Sequence, residues 1–78
     1  MTVQAYVLVQ TTVGKAATVA ETIRQIPGVV LAEDVTGPYD VIVRAEAADL
    51  DELGTMVVAK VQTVEDITRT VTCPVVKL

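Results

Sequence analysis

The residues of this chain best suited to chemistry lie in one short segment, Thr36-Gly37-Pro38-Tyr39-Asp40, between two apolar runs in the middle of the sequence. Gly37 takes up a positive φ at little cost and Pro38 fixes its own φ, so the segment predicts a rigid, exposed turn. The phenol of Tyr39 and the carboxylate of Asp40 follow the bend directly. Backbone N–H groups, a phenol and a carboxylate held together suit a small zwitterionic ligand. A plain hairpin turn before a strand would use the same residues, and the spacing alone leaves both interpretations open.

A second set of polar groups lies near the end of the chain, where three threonines alternate with other residues; they are Thr68, Thr70 and Thr72. Their hydroxyls could contact a ligand, although threonines on a strand also reflect ordinary β-propensity. Cys73 follows them. Because no basic residue flanks it closely enough to stabilise a thiolate, we interpret it as a small apolar residue of the sheet.

The chemistry that the chain lacks narrows its function. It has no histidine, tryptophan or phenylalanine. No Cys/His cluster predicts a metal, no glycine-rich loop a nucleotide and no Ser-His pair an acyl-enzyme, so we expect no cofactor and no enzyme activity. The net charge is −4 and the six basic residues are spread along the chain, whereas phosphate binding needs clustered Lys and Arg. Direct nucleic-acid binding is therefore not expected.

Length and composition indicate one small domain over residues 1–78. The chain is 51% hydrophobic but 3% aromatic, and its abundant β-branched valine favours a sheet over a helical bundle. A domain of this size buries a modest part of its own surface, so self-association is expected. No apolar run approaches the roughly 20 residues of a membrane span. The N-terminus lacks the pattern of a signal peptide and the single cysteine suits a reducing compartment, so the predicted location is the cytoplasm.

The spacing of apolar residues predicts six elements. They are strand 3–11, helix 16–26, strand 29–35, strand 40–46, helix 50–62 and strand 67–73. Pro27-Gly28 ends the first helix, and the pair Asp49 and Glu52 resembles a capping box at the start of the second.

The second helix is predicted to bury one apolar stripe, made of Leu50, Leu53, Val57 and Val61. Gly54 on that stripe would let the helix approach the sheet closely. Pro74 would interrupt a central strand, so the end of the chain is predicted to be an edge strand or a swapped arm.

The order strand, helix, strand, repeated once, predicts the α+β ferredoxin-like βαββαβ sandwich. In that fold a four-stranded antiparallel sheet carries two helices on one face. The other face stays bare, and the side of strand 3–11 that would lie there is mixed rather than polar. A copy of the chain covers it most simply. We therefore expect a dimer of the α+β barrel type, joined by back-to-back sheets or by edge strands.

Several stretches together resemble the effector-binding domain, often called the RAM domain, of the Lrp/AsnC transcriptional regulators. They are AYVLV in the first strand, GK at the first helix, IPGV after it, VTGPYDVIV across the turn and Thr70-x-Thr72 in the last strand. The resemblance covers nearly the whole chain, and TGPYD is its most specific element. The N-terminal helix-turn-helix domain of the full-length regulators has no counterpart here, so we interpret the chain as a stand-alone member.

The resemblance implies a ligand and an assembly. Domains of this kind bind amino acids or related small metabolites at contacts between dimers, and the dimers assemble further, here into an expected octamer or decamer. Gly37 and Tyr39 match the turn that approaches the ligand. Asp40 matches a carboxylate that would hold the ligand's α-ammonium by a charge-assisted hydrogen bond.

The resemblance also assigns roles near the last strand. Thr70 and Thr72 match hydroxyls that would bind polar atoms of the ligand directly or through water. Thr68 matches a position from which a side chain could select among ligands. The chain departs from the family pattern at Asp66-Ile67, where Gly-Val is usual, so a stiffer loop and an altered pocket are expected.

Three hypotheses for the function follow. The first is an amino-acid-binding oligomer linked to transcriptional regulation through protein partners, such as full-length Lrp/AsnC regulators with which it would mix subunits. The second is a small dimeric α+β barrel enzyme of the monooxygenase or isomerase type, whose sites generally use the His, Trp or Phe that this chain lacks. The third is a purely structural oligomerisation module, in which TGPYD is only a turn.

Overall fold

The computed structural model describes residues 2–76 in four strands and two helices. The strands are β1 (Val3–Thr11), β2 (Val29–Asp34), β3 (Val41–Ala47) and β4 (Ile67–Pro74). The first helix, α1, is Ala16–Arg24. The second, α2, runs without a break through Leu50–Glu52, the π-helical segment Leu53–Val58, and Ala59–Val61. The predicted tail after Pro74 is described as far as residue 76, and its last two residues lie outside the described residues.

The four strands form one antiparallel sheet in the order β2-β3-β1-β4. Val7 in β1 lies opposite Val43 of β3 and Thr72 of β4, which fixes the register across the centre of the sheet. The predicted ferredoxin-like fold is confirmed. β4 is an edge strand that ends at Pro74, as a proline without a backbone N–H requires.

The core lies between the helices and one face of the sheet. Alternate residues of β1 and β3 point into it, as the period of two predicts. The largest fully buried side chains are Val7, Val9, Val19, Ile23, Val41, Val43, Leu53 and Val61. Both helices therefore pack on the same face of the sheet, and the core is aliphatic throughout.

The structure corrects one residue of the apolar stripe predicted for α2 and confirms the predicted N-terminal cap. Leu53, Val57 and Val61 are buried as expected, but Leu50 is 61% exposed. It lies in the first turn, before the π-helical segment, which contacts β1 and β3. The N-terminus is capped as predicted, because the Asp49 side chain accepts a hydrogen bond of 2.7 Å from the backbone N–H three residues on.

The glycine that allows close packing is Gly28, and the prediction for Gly54 is wrong. A Cβ placed on Gly54 would have no neighbour within 4 Å, since this residue is on the exposed side of α2. A Cβ on Gly28 would lie 2.6 Å from Cγ2 of Val57. Gly28 also has a φ of +97°, and its carbonyl accepts a 2.8 Å hydrogen bond from the N–H of Glu46.

The second face of the sheet is covered by neither helix, and we call it the open face. Its apolar residues are Tyr6, Leu8, Leu31, Ile42 and Val71, which the strand register places side by side. Beside them, Nη2 of Arg44 donates a 2.8 Å hydrogen bond to Oε1 of Gln4. Nε of Arg44 is shielded from solvent without a hydrogen-bond acceptor among the described residues. Within residues 2–76, neither helix is long and apolar enough to cross a membrane.

Candidate functional site

The predicted turn connects β2 to β3 and is held at its base. The N–H of Val35 donates a 2.8 Å hydrogen bond to the carbonyl of Asp40. Gly37 has a φ of +147°, which favours glycine, and no atom would crowd a side chain there. The carbonyl of Pro38 accepts a 3.0 Å hydrogen bond from the amide of Gln10 in β1. The tip of the turn is thus exposed, while its second half is tied to the neighbouring strand.

Asp40 already has a structural task at the end of β1. Its Oδ2 accepts a 2.8 Å hydrogen bond from the N–H of Thr11, and its own N–H donates 2.9 Å to the carbonyl of Val9. Within residues 2–76, Oδ1 of Asp40 has no hydrogen-bond partner. The carboxylate is therefore fixed in place through one oxygen and free through the other. Asp40 and Tyr39 are both partly buried.

The threonines of β4 lie along the opposite edge of β1. Thr70 and Thr72 pair with Val9 and Val7, so they share the helix side of the sheet with these two residues. The hydroxyl of Thr70 accepts a 3.3 Å hydrogen bond from the amide of Gln62, just after α2. Thr68 lies in a β-bulge opposite the last residues of β1.

The six predicted residues do not form one pocket within a single chain. Asp40 and Thr68 flank the end of β1 from its two sides, separated by roughly two strand spacings, about 10 Å. Gly37 and Tyr39 lie beyond them in the hairpin, and Thr70 and Thr72 run back along the edge strand. Two clefts on the helix side of the sheet are lined by none of these six residues.

The groups that hold the end of β1 were not predicted from the sequence. Gln10 and Thr11 fasten the turn, and the N–H of Thr12 donates a 2.8 Å hydrogen bond to the carbonyl of Asp66. Asp66 has a φ of +70°, a conformation that suits glycine, at the very position where the chain departs from Gly-Val. The departure from Gly-Val was the one sign of this in the sequence. The positive φ explains why glycine would suit the position.

Acidic side chains and the cysteine are spread out over the described part of the chain. No group of three or more His, Cys, Asp or Glu side chains among residues 2–76 could hold a metal ion. Cys73 lies in β4 opposite Tyr6 and is exposed rather than packed in the sheet interior. What the end of β1 offers is one fixed carboxylate, hydroxyls and an exposed, conformationally restricted turn.

The chain matches a known protein family. A family model described as the Lrp/AsnC ligand binding domain matches residues 4–78. An uncharacterized HTH-type transcriptional regulator of Pyrococcus furiosus is 37% identical over 54 residues, which cover 69% of this chain and 36% of that protein. The chain thus spans about a third of the length of this curated relative.

Solved structures give the same fold. TTHA0845 from Thermus thermophilus superposes with a TM-score of 0.87 and 28% identity, over 97% of this chain and 95% of that one. The transcriptional regulator NMB0573 from Neisseria meningitidis, solved as a complex with L-Met, has a TM-score of 0.77 and 21% identity, over 96% and 50% of the two chains. The second likeness shows the fold alone. Because the family model spans residues 4–78, this chain belongs to the Lrp/AsnC ligand-binding-domain family.

Proposed function

We propose that this domain binds an amino acid or a related small metabolite at the Thr36–Asp40 turn, and that it contributes to transcriptional regulation through protein partners. The observation that carries the proposal is the carboxylate of Asp40, which is anchored on the N–H of Thr11 and free at Oδ1. An anchored carboxylate loses little freedom when it accepts a hydrogen bond from an ammonium group, so its binding energy is not spent on ordering. Family membership and the L-Met complex of the Neisseria regulator support the same ligand class.

The pocket is completed by a second copy of the chain. The single chain spreads Asp40, Thr68 and Thr70 around the end of β1 without enclosing a space. A contact between copies at this end would close the site over the exposed turn. A ligand bound there stabilises the assembled form, because it binds assembled and separate chains with different affinity.

The open face is the surface through which a dimer forms. Its apolar centre is bordered by charges of both signs, namely Arg44 and Arg69 against Glu33 and Glu46. A two-fold axis places the open face of one chain against the same face of its copy. Basic residues of one chain can then pair with acidic residues of the other. The same face would accept the equivalent domain of a full-length Lrp/AsnC regulator, which gives a route to transcription without direct DNA contact.

Neither catalysis nor direct nucleic-acid binding is part of the proposal. The chain has no histidine to transfer protons near neutral pH, and its net charge of −4 opposes binding to phosphate. Native mass spectrometry with each common amino acid, over a series of protein concentrations, tests the assembly directly. A mass that neither changes with any amino acid nor contains bound ligand would favour the purely structural module.

Changing Asp40 to asparagine is expected to weaken amino-acid binding at least about tenfold while leaving stability within about 0.5 kcal/mol. Asparagine keeps an acceptor for the N–H of Thr11 but removes the charge that holds an ammonium group. Changing Asp40 to alanine removes both functions, and it is expected to lower the free energy of unfolding by about 1–2 kcal/mol as well. Isothermal titration calorimetry and urea unfolding measure the two effects separately.

Together, the asparagine and alanine variants show whether Asp40 binds the ligand or only stabilises the turn. The alanine variant alone would confuse the two, because an unsatisfied N–H at the end of β1 disturbs the turn itself. An asparagine variant that binds the amino acid as tightly as the original chain would remove Asp40 from the site.

A further inference from the structure

A cleft on the helix side of the molecule is the strongest functional clue outside the turn. It lies between α1 and the turn 62–66 that follows α2, and it has a volume of about 480 Å³. Small-molecule sites typically have volumes of about 300–1,000 Å³. Its floor is apolar: Val19 is buried, and Ile26 and Val64 are partly buried.

Charges of both signs line the cleft. Lys60 lines it from the end of α2, where it also borders the neighbouring cleft beside Gly28, and Glu65 and Asp66 line it from the turn. Within residues 2–76, Lys60 has no ion-pair partner. The ion pair found there joins Arg24 and Glu21 at 2.8 Å. The cleft therefore presents one free positive group and two free negative groups around an apolar floor.

The hydroxyls in the cleft are oriented by the backbone. Oγ1 of Thr22 donates a 3.0 Å hydrogen bond to the carbonyl of Thr18, and Oγ1 of Thr63 donates 2.7 Å to the carbonyl of Lys60. Because the hydrogens of both hydroxyls are used inside the chain, their lone pairs remain to accept hydrogen bonds. They add neutral acceptors to the two carboxylates, and the cleft matches a ligand that has an ammonium and a carboxylate.

We propose that this cleft is a second ligand site, separate from the Thr36–Asp40 turn, for a compact α-amino acid with an apolar side chain. Lys60 binds the carboxylate of the ligand. Glu65 and Asp66, with the two oriented hydroxyls, receive its ammonium group. The aliphatic floor of Val19 and Ile26 contacts the side chain of the ligand.

The cleft is connected to the turn through two consecutive N–H groups of the chain. The N–H of Thr12 donates to the carbonyl of Asp66 in the cleft wall, and the N–H of Thr11 donates to the carboxylate of Asp40, each over 2.8 Å. Any shift of Asp66 on ligand binding thus moves the segment that anchors Asp40. A ligand bound in the cleft is expected to change the affinity of the turn for its own ligand. A ligand bound at the turn must then change the affinity of the cleft by the same factor.

Methyl NMR distinguishes the two sites because both are surrounded by labelled side chains. Val19, Ile26 and Val64 report on the cleft, and Val35 and Val41 flank the turn. Each common amino acid is titrated into protein with labelled isoleucine and valine methyl groups, beginning with L-methionine. We expect saturable shifts of the three cleft methyls. The methionine analogues that lack either the ammonium or the carboxylate are expected to bind about tenfold more weakly.

Matched variants test the assigned charges. Lys60→Gln and Glu65→Gln are each expected to weaken binding in the cleft about tenfold. Asp66→Asn removes the third charge while keeping a residue that tolerates positive φ. Lys15→Gln is the control, since Lys15 is also exposed but lies outside the cleft, and the binding curve of this variant should be unchanged.

The outcomes separate this site from the proposed function. Shifts confined to Val35 and Val41 would support the turn site and overturn the cleft. The cleft is also overturned if no amino acid moves its methyls, or if Lys60→Gln and Lys15→Gln give the same curve as the original chain. Shifts confined to Val19, Ile26 and Val64, lost in Lys60→Gln, would establish the cleft and leave the turn without a ligand.

Discussion

Changing Gly28 to alanine is expected to lower the free energy of unfolding by about 3 kcal/mol, which is a large part of the stability of so small a domain. The new Cβ would lie 2.6 Å from Cγ2 of Val57 and 3.0 Å from the carbonyl oxygen of Glu46. A φ of +97° adds strain for any residue with a Cβ, about 1–2 kcal/mol. The backbone at residue 28 cannot easily move away from Val57, because the carbonyl of Gly28 accepts a hydrogen bond from the N–H of Glu46.

Two other glycines of the same chain serve as controls. Gly14 has a φ of +81° but open space around it, so Gly14→Ala should cost about 1–2 kcal/mol of strain alone. Gly54 is helical and equally uncrowded, so Gly54→Ala should stabilise the fold by about 0.5–1 kcal/mol. Urea unfolding at one fixed protein concentration compares all three, since association also contributes to stability.

A double variant tests whether the contact with Val57 is the cause. Val57→Ala removes the Cγ2 atom that a Cβ on residue 28 would meet, so the two substitutions together should cost less than the sum of their separate effects. Additive costs, or an equal loss in Gly28→Ala and Gly14→Ala, would mean that α2 moves away from the turn without much resistance.

The contrast between Gly28 and Gly54 illustrates what periodicity can and cannot predict. The alternation of apolar residues was enough to predict every strand to within one residue at each end, because a sheet covered on one face imposes a period of two. It could not predict which glycine allows α2 to pack closely. Leu53, Val57 and Val61 keep the predicted spacing of four residues and are buried, whereas Leu50 and Gly54, which lie at the margins of the same stripe, are both exposed.

The candidate site was predictable as a set of residue types and not as an arrangement. Gly37 and Pro38 indicated a restricted turn from local chemistry alone. The anchoring of Asp40 on Thr11 joins residues 29 positions apart, and only the register of β1 against β3 brings them together. The ligand roles of Tyr39 and of the β4 threonines remain predictions, because neither cleft among residues 2–76 is lined by these residues.

Changing Leu8 to aspartate is expected to convert the proposed dimer into monomers while the isolated fold survives. Leu8 is at the centre of the open face, opposite Ile42 on one side and Val71 on the other. A two-fold interface carries each substitution twice, and the loss of two buried leucines amounts to roughly 4 kcal/mol, or about a thousandfold in the dissociation constant. Two unpaired carboxylates in the same interface would add to this loss.

Leu50→Asp is the matched control. Leu50 is 61% exposed at the start of α2, on the helix side of the molecule, where an aspartate in the first helical turn is favourable. Sedimentation velocity should give monomers for Leu8→Asp and an unchanged mass for Leu50→Asp. If Leu8→Asp keeps the original mass, the open face is not the contact and the chains are joined through the exposed edges of β2 or β4. If both variants become monomers, the helix side contributes to the assembly, and the cleft beside α1 then lies close to a contact between copies.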